Sequence, residues 1–231
     1  MSILTGVSHI SFDLWLTLIR SAPGFKPERD RLLAGHFGIQ RSPEKISETV
    51  RHFDRLFDRV SMITGKSIDA DEIVLVILDA LGADISAVSR EQLQRFYVDM
   101  EDLFFSSPPV LIDPQMPHHL EKLREKGFTL SLLSNTAFIR GKTLRKILAH
   151  YEMDIHFDFQ LYSDEIGYAK PAPGAFACLW QEAKKRRSLE KEMILHIGDN
   201  PDADVKGASD FGMRAALFNR QETALADMLE C

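Results

Sequence analysis

The sequence predicts an α/β fold: a Rossmann-like parallel sheet with an all-helical segment inserted after its first strand. Three observations predict it. Short apolar runs of strand length alternate with helix-period segments over 1–19 and 108–231, and most of those runs stop at a polar residue. Between the first and second runs, over 20–107, the strand signal disappears and helical spacing takes over. The chain has 231 residues, 45% of them hydrophobic, which is enough for one ordinary core plus a smaller appendage.

The first strand is Val7 to Phe12, an apolar run that stops at Asp13. Phe128 to Leu133, Met193 to Ile197 and Met213 to Phe218 read in the same way, and Phe157 to Ser163 is a strand with an irregular pattern. Pro114 to Lys126, Phe138 to His150, Pro173 to Arg187 and Pro201 to Phe211 have helical spacing; three begin near a proline, and Gly127 and Gly212 occupy stop positions. Within the insert four helices are expected. Ser42-Pro43 is a helix start, Ser89-Arg90-Glu91-Gln92 has capping-box spacing, and Gly38 and Gly82 are stops. Ile73 to Leu81 is apolar nearly all round, as in a helix buried within its own module, and Ser106-Ser107-Pro108-Pro109 reads as the return linker.

Composition narrows the function classes. A net charge of −6 disfavours nucleic acid and anionic membrane as partners, and no run approaches the roughly 20 apolar residues of a membrane span. A small-molecule substrate fits better. The two cysteines, Cys178 and Cys231, have neither zinc spacing nor a disulfide framework, which points to a reducing, cytoplasmic setting. The basic run Lys184-Lys185-Arg186-Arg187 falls at a helix C-terminus, where the dipole favours cations. His118-His119 reads as a solvated pair, since adjacent residues point to different helix faces, whereas His9 and His196 read as hydrogen-bonded core residues. Arg20, Arg29 and Arg31, just after the first strand, are expected to face solvent.

Chemistry begins at Asp13, a carboxylate at the end of a buried strand, where open α/β sheets bind ligands. Alone, such a residue more often caps a turn. Three further signals follow: Ser134-Asn135 after the second strand, Lys170-Pro171 after a polar loop, and Gly198-Asp199-Asn200-Pro201-Asp202-Ala203-Asp204 after another strand. With these four motifs in this order, the chain resembles the haloacid dehalogenase-like hydrolase superfamily. The resemblance covers everything except the helical insert, whose position matches that family's helical cap. It implies that Asp13 is the nucleophile, that Ser134 binds the substrate's anionic group, and that Lys170 holds nucleophile and substrate together. It also implies that Asp199, with Asp13, ligates magnesium while Asp204 supports the metal site. Asn135 and Trp15 border the same site and are expected to contact substrate. Elementary chemistry agrees: phosphoryl transfer needs positioning and charge neutralisation, and three carboxylates facing one lysine favour a hard divalent cation.

Two positions depart from the family pattern. Trp15 stands where the family's phosphatases usually carry a second Asp, which protonates the leaving group and then activates water; Leu16 stands where Gly is usual. An indole carries no proton that can be transferred at neutral pH. The leading expectation is a magnesium-dependent phosphohydrolase of a small metabolite, impaired or altered by Trp15. A 2-haloacid dehalogenase-type hydrolase, whose family members also lack the second Asp, is the alternative, with a catalytically silent ligand-binding protein as the third.

Overall fold

The computed structural model describes residues 2–221 and 225–229; Cys231 lies outside the described residues. Five strands form one parallel sheet: β1 (His9–Phe12), β4 (Thr129–Ser134), β5 (Phe159–Tyr162), β6 (Ile194–Gly198) and β7 (Arg214–Leu217), in the order β5-β4-β1-β6-β7. The three central strands are almost wholly buried because a parallel sheet is covered on both faces, and polar residues within them such as His9, Ser11, Ser131 and His196 are hydrogen-bonded to one another. On one side Phe12, Leu132, Leu144, Ile147 and Ile197 pack together. Leu133 points to the other side, against Phe176 and Leu179 of α8 (Pro173–Lys184) and Ala208 of α9 (Gly207–Phe211). All five strands stand where the apolar runs predict them, with ends shifted by one or two residues.

The insert contains four helices: α1 (Phe25–His36), α2 (Pro43–Thr64), α3 (Ala70–Ala80) and α4 (Arg90–Ser106). Ser42 caps α2 by accepting from the Lys45 N–H, with Pro43 at the first helical position. Ser89 and Gln92 form the reciprocal capping box of α4. α3 buries Ile73, Val74, Ile77 and Leu78 against Leu33, Val50 and Phe96 of the same module. Phe138, from the loop after β4, completes that cluster. This explains why α6 (Gly141–His150) starts three residues later than its spacing predicts: the preceding apolar residues dock on the insert instead of opening a helix. The Asp164 carboxylate then accepts from the Gly141 N–H.

The sequence did not foretell a two-stranded ribbon, β2 (Ile19–Arg20) with β3 (Val110–Leu111), through which the chain leaves and rejoins the sheet region. Two residues per strand are too few for a periodic signal. The segment read as one helix from Pro201 is a π-helical turn, Pro201–Lys206, running into α9. No described helix is long and apolar enough to cross a membrane. The remaining α-helices among the described residues are α5 (Met116–Glu125), α7 (Ser163–Ile166) and α10 (Leu225–Leu229).

His9 is fully buried in β1, where Nδ1 meets Thr129 Oγ1 at 2.8 Å and Nε2 meets Ser131 Oγ at 2.8 Å, and its ring stacks on Phe159. Burial, aided by Arg186 and Arg124, pushes its pKa down to about 3. Below pH 6.5 the unfolded chain therefore binds a proton at His9 that the folded protein refuses, so stability falls as pH drops from 6.5 toward 3. In His9→Gln the unfolding free energy should lose this contribution: between pH 6 and 4 its slope against pH should be shallower by about 1.4 kcal/mol per unit, read from urea titrations. Equal slopes in both proteins would show that His9 is protonated in the folded state.

Candidate active site

β1 lies between β4 and β6; the chain runs from β1 to β4 and β5 on one side and then crosses to β6 and β7 on the other, so the carboxyl ends of β1, β4 and β6 face one crevice at this switch in direction. Asp13 follows β1 directly, and its N–H donates to the Ile197 carbonyl at 2.8 Å, which extends the β1–β6 pairing by one residue. Ser134 is the last residue of β4, and Asp199 follows β6. The three positions are thus brought together by strand register alone.

Lys170 joins them. Its buried ammonium donates to Asp13 Oδ1 at 2.8 Å and to Asp204 Oδ1 at 2.6 Å. Asn135 fixes the backbone of that lysine at both ends, accepting from the Lys170 N–H at 2.8 Å and donating to the Lys170 carbonyl at 3.0 Å. Asn135 was expected to contact substrate; much of its hydrogen-bonding capacity is instead committed to Lys170. Asp204 is also heavily engaged. Besides Lys170, its Oδ1 meets His196 Nε2 at 3.1 Å, and its Oδ2 accepts from the Asn200 N–H at 3.0 Å. A Cβ on Gly198 would sit 2.2 Å from the Asp204 carboxyl, so only glycine lets that carboxylate approach the end of β6. Asn200 accepts from the Asp202 and Ala203 N–H groups and so opens the π-helical turn that carries Asp204 inward. Ser134 is buried, with its hydroxyl donating to the Asn135 carbonyl at 3.2 Å.

Four of these contributors were not anticipated as site residues: Thr17, whose hydroxyl donates to Asp13 Oδ2 at 3.3 Å, and His196, Gly198 and Asn200 around Asp204. His196 is a satisfied core histidine as read, with Nδ1 on Ser11 Oγ at 3.0 Å, yet it also grips a site carboxylate. The available signals were its position two residues before Gly198 in β6 and the spacing of Thr17 four residues after Asp13.

Carboxylate oxygens of Asp13, Asp199 and Asp204 lie within 4.8 Å of one another, against one lysine ammonium. Burial, reinforced by the charges of Asp204 and Asp199, pushes Asp13 up to about 7 although Lys170 opposes the rise. Burial and Asp204 likewise raise Asp199 to about 6. Burial would also raise Asp204, but Lys170 and His196 hold it well below the usual carboxylate range. The Lys170 ammonium is held on its proton by the two carboxylates in spite of its burial. All three acidic groups offer hard oxygen donors. Magnesium takes oxygens at about 2.0–2.1 Å, so opposed ligands stand roughly 4.2 Å apart, and the cluster needs a contraction of only about half an ångström or a bridging water to fit.

Beside this cluster a cavity of about 300 Å³ lies between the sheet and the insert, with Trp15, Leu16, Asn135 and Ala169 on one wall and residues of α1 and α2 on the other. Trp15 packs toward Phe104 of α4, ring centroids 6.3 Å apart. Arg29, expected to face solvent, is buried instead. Its guanidinium bonds Asp30 at 2.9 Å and Asp54 at 3.3 Å and lies 5.0 Å from the Phe138 ring centre. The pairing with Asp54 spans α1 and α2, and only the packing of those helices creates it. Arg31 is exposed and paired with Glu28, as anticipated, while Arg20 is half-buried in β2.

A family model for haloacid dehalogenase-like hydrolases matches residues 7–212. The chain belongs to that family. Among its relatives, the mouse haloacid dehalogenase-like hydrolase domain-containing protein 3 is 34% identical over 121 residues, covering 51% of this chain and 44% of that protein. The phosphoglycolate phosphatase of Aquifex aeolicus is 27% identical over 150 residues, covering 64% of this chain and 67% of the enzyme. The matched segment thus spans under half of several of the curated relatives. The magnesium-bound HAD-hydrolase YfnB of Bacillus subtilis shares the fold with a TM-score of 0.68 at 19% identity, over 94% of this chain and 91% of that one.

Leu16, where phosphatases of the family usually carry glycine, keeps a backbone conformation suited to glycine, with φ of 63°. The loop shape therefore survives the substitution at the expense of left-handed strain, about 1–2 kcal/mol for a residue with a Cβ. Leu16 is 48% exposed and gives up little packing on truncation. Leu16→Gly should accordingly leave stability within about 1 kcal/mol of the parent, relief of strain offsetting chain entropy, whereas β-branched Leu16→Val should lose about 1 kcal/mol or more in urea melts. The opposite ranking would show that the loop is not held in this conformation.

Proposed function

We propose that this hydrolase is a magnesium-dependent phosphohydrolase of a small phosphorylated metabolite, working through an aspartyl-phosphate on Asp13. The observation that carries the reading is the buried ammonium of Lys170 shared by Asp13 and Asp204, with a carboxylate oxygen of Asp199 within 4.8 Å of theirs. Phosphatase-named relatives support it. In the first step an Asp13 oxygen bonds to phosphorus in line with the leaving oxygen, whose P–O bond breaks. Lys170 keeps Asp13 from repelling the incoming anion, Ser134 turns its hydroxyl to a phosphoryl oxygen, and Thr17 orients the carboxylate. In the second step a water oxygen bonds to phosphorus, the Asp13–phosphorus bond breaks, and inorganic phosphate leaves. A magnesium ion held by Asp13 and Asp199, with Asp204 behind them, would supply the charge neutralisation that phosphoryl oxygens require. The helical insert, 20–107, serves as the cap over the crevice; the Gly65 carbonyl at the end of α2 accepts from the Ala169 N–H, next to Lys170.

Trp15 is the observation that favours the dehalogenase alternative, because displacement of halide needs no leaving-group acid. The electrostatics weigh against it. A 2-haloacid brings its own carboxylate to a cluster already rich in carboxylates, and Arg29, the buried guanidinium of the adjoining cavity, is spent on Asp30 and Asp54. Calorimetric titration with magnesium should show one site of millimolar affinity or better that is lost in Asp199→Ala. Phenyl phosphate turnover should require magnesium and fall to background in Asp13→Asn. Turnover of 2-haloacids without any metal dependence would establish the dehalogenase reading, and anion binding with no turnover the silent one.

A further inference from the structure

Trp15 leaves the loop after Asp13 without a proton donor for a leaving oxygen. The consequence falls unequally on substrates. An alkyl oxygen departs as a strongly basic alkoxide unless an acid protonates it, and lack of that acid slows such esters by about 10²- to 10⁴-fold. A phenolic oxygen, with a pKa of about 10 as in tyrosine, departs as the anion without help. The loop therefore selects leaving groups of the phenolic kind.

The cavity beside Trp15 describes the same group independently. Its inner wall comes from the chain neighbours of each phosphoryl-handling residue: Trp15 and Leu16 come shortly after Asp13, Asn135 follows Ser134, and Ala169 precedes Lys170. The rest of the wall is largely apolar, with Phe25, Phe57, Ile73 and Phe138. Trp15 is braced from behind, its ring centre 6.3 Å from that of Phe104, which in turn lies 5.3 Å from that of Phe25. It is nonetheless only half-buried, which leaves indole surface to the cavity. An apolar cavity of about 150 Å³ takes up benzene. At about 300 Å³ this one has room for a single ring with a small substituent.

Charge narrows the class further. The Arg29 guanidinium is bonded to Asp30 at 2.9 Å and to Asp54 at 3.3 Å. The other cation of the lining, Lys26, is exposed and shares the cavity with two carboxylates, Asp54 and Asp58. The lining presents no net positive charge, so a leaving group with its own carboxylate or a second phosphate gains no attraction there, whereas a neutral ring gains the apolar wall.

We propose that the substrates of this site are aryl phosphate monoesters with one uncharged ring, seated in the cavity against Trp15. The indole serves as a platform for the ring at the position where the family's phosphatases usually carry an acid. The inference rests on the phosphohydrolase reading. As Asp13 bonds to phosphorus the aryl P–O bond breaks, and the aryloxide leaves with the electron pair and takes its proton from solvent. In the second step a water oxygen bonds to phosphorus and the Asp13–phosphorus bond breaks. Phosphate leaves carrying the protons of that water and returns one of them to solvent, so no further reactant is consumed.

The test has a kinetic arm and a binding arm, both with magnesium present. In the first, kcat/KM for phenyl phosphate should exceed that for 2-phenylethyl phosphate, which carries the same ring on an alkyl oxygen, by about 10²-fold or more. Phosphoglycolate, an alkyl ester with a carboxylate, should be at least as poor as 2-phenylethyl phosphate. In the second arm, calorimetry should find phenylphosphonate bound about 10- to 100-fold more tightly than methylphosphonate, the difference being burial of the ring. Phe57→Ala should narrow that ratio, while the comparison within the parent stands whether or not the variant folds. Equal kcat/KM for the two ring-bearing esters, equal affinity for the two phosphonates, or a preference for phosphoglycolate would overturn the substrate class. Acetyl phosphate, which has no ring and a leaving group that needs no acid, tests the underlying reading by itself. Its hydrolysis would leave that reading standing if the substrate class failed, and absence of turnover on it and on every ester would overturn both.

Discussion

The ammonium of Lys170 is the interaction on which the site depends. Taking such a group out of water costs several kcal/mol, and only close, well-directed acceptors offset the cost. Asp13 and Asp204 supply them at 2.8 and 2.6 Å, and both are buried. Much of the surrounding structure keeps this triad in register. Asn135 holds the lysine backbone, His196 and the Asn200 N–H hold Asp204, and Gly198 leaves room for its carboxyl. The sheet contributes the alignment, because β1 and β6 bring Asp13 and Asp199 to the same level.

The same arrangement explains why the crevice suits anions only with help. One ammonium does not balance three carboxylates, and two of the three are pushed above their ordinary values. Under the proposed function, a divalent cation held there would offset that repulsion and favour a phosphoryl group.

Trp15 and Leu16 mark where this chain leaves the usual pattern, and the two departures have different consequences. Leu16 changes a residue but keeps the conformation, φ of 63°. Trp15 changes the chemistry and keeps the space filled, packing toward Phe104 of the insert. The wall opposite, from the insert, carries Arg29, Asp54 and Asp58.

The sequence by itself determined the strands, most helices and the carboxylate, hydroxyl and lysine positions of the site. Apolar runs that end at Asp13, Ser134 and Gly198 are local signals, set by chain stiffness and by the need to bury both faces of a parallel sheet. Caps such as Ser42 and Ser89 are equally local. Only the tertiary structure decided what those side chains do to one another. Whether Asn135 turns to a ligand or to Lys170, whether Arg29 meets water or Asp54, and whether Asp58 shares a cavity with Trp15 all depend on contacts between residues far apart in the chain. Periodicity carries no record of such pairings, because it reports which face a residue occupies and not which other face it meets.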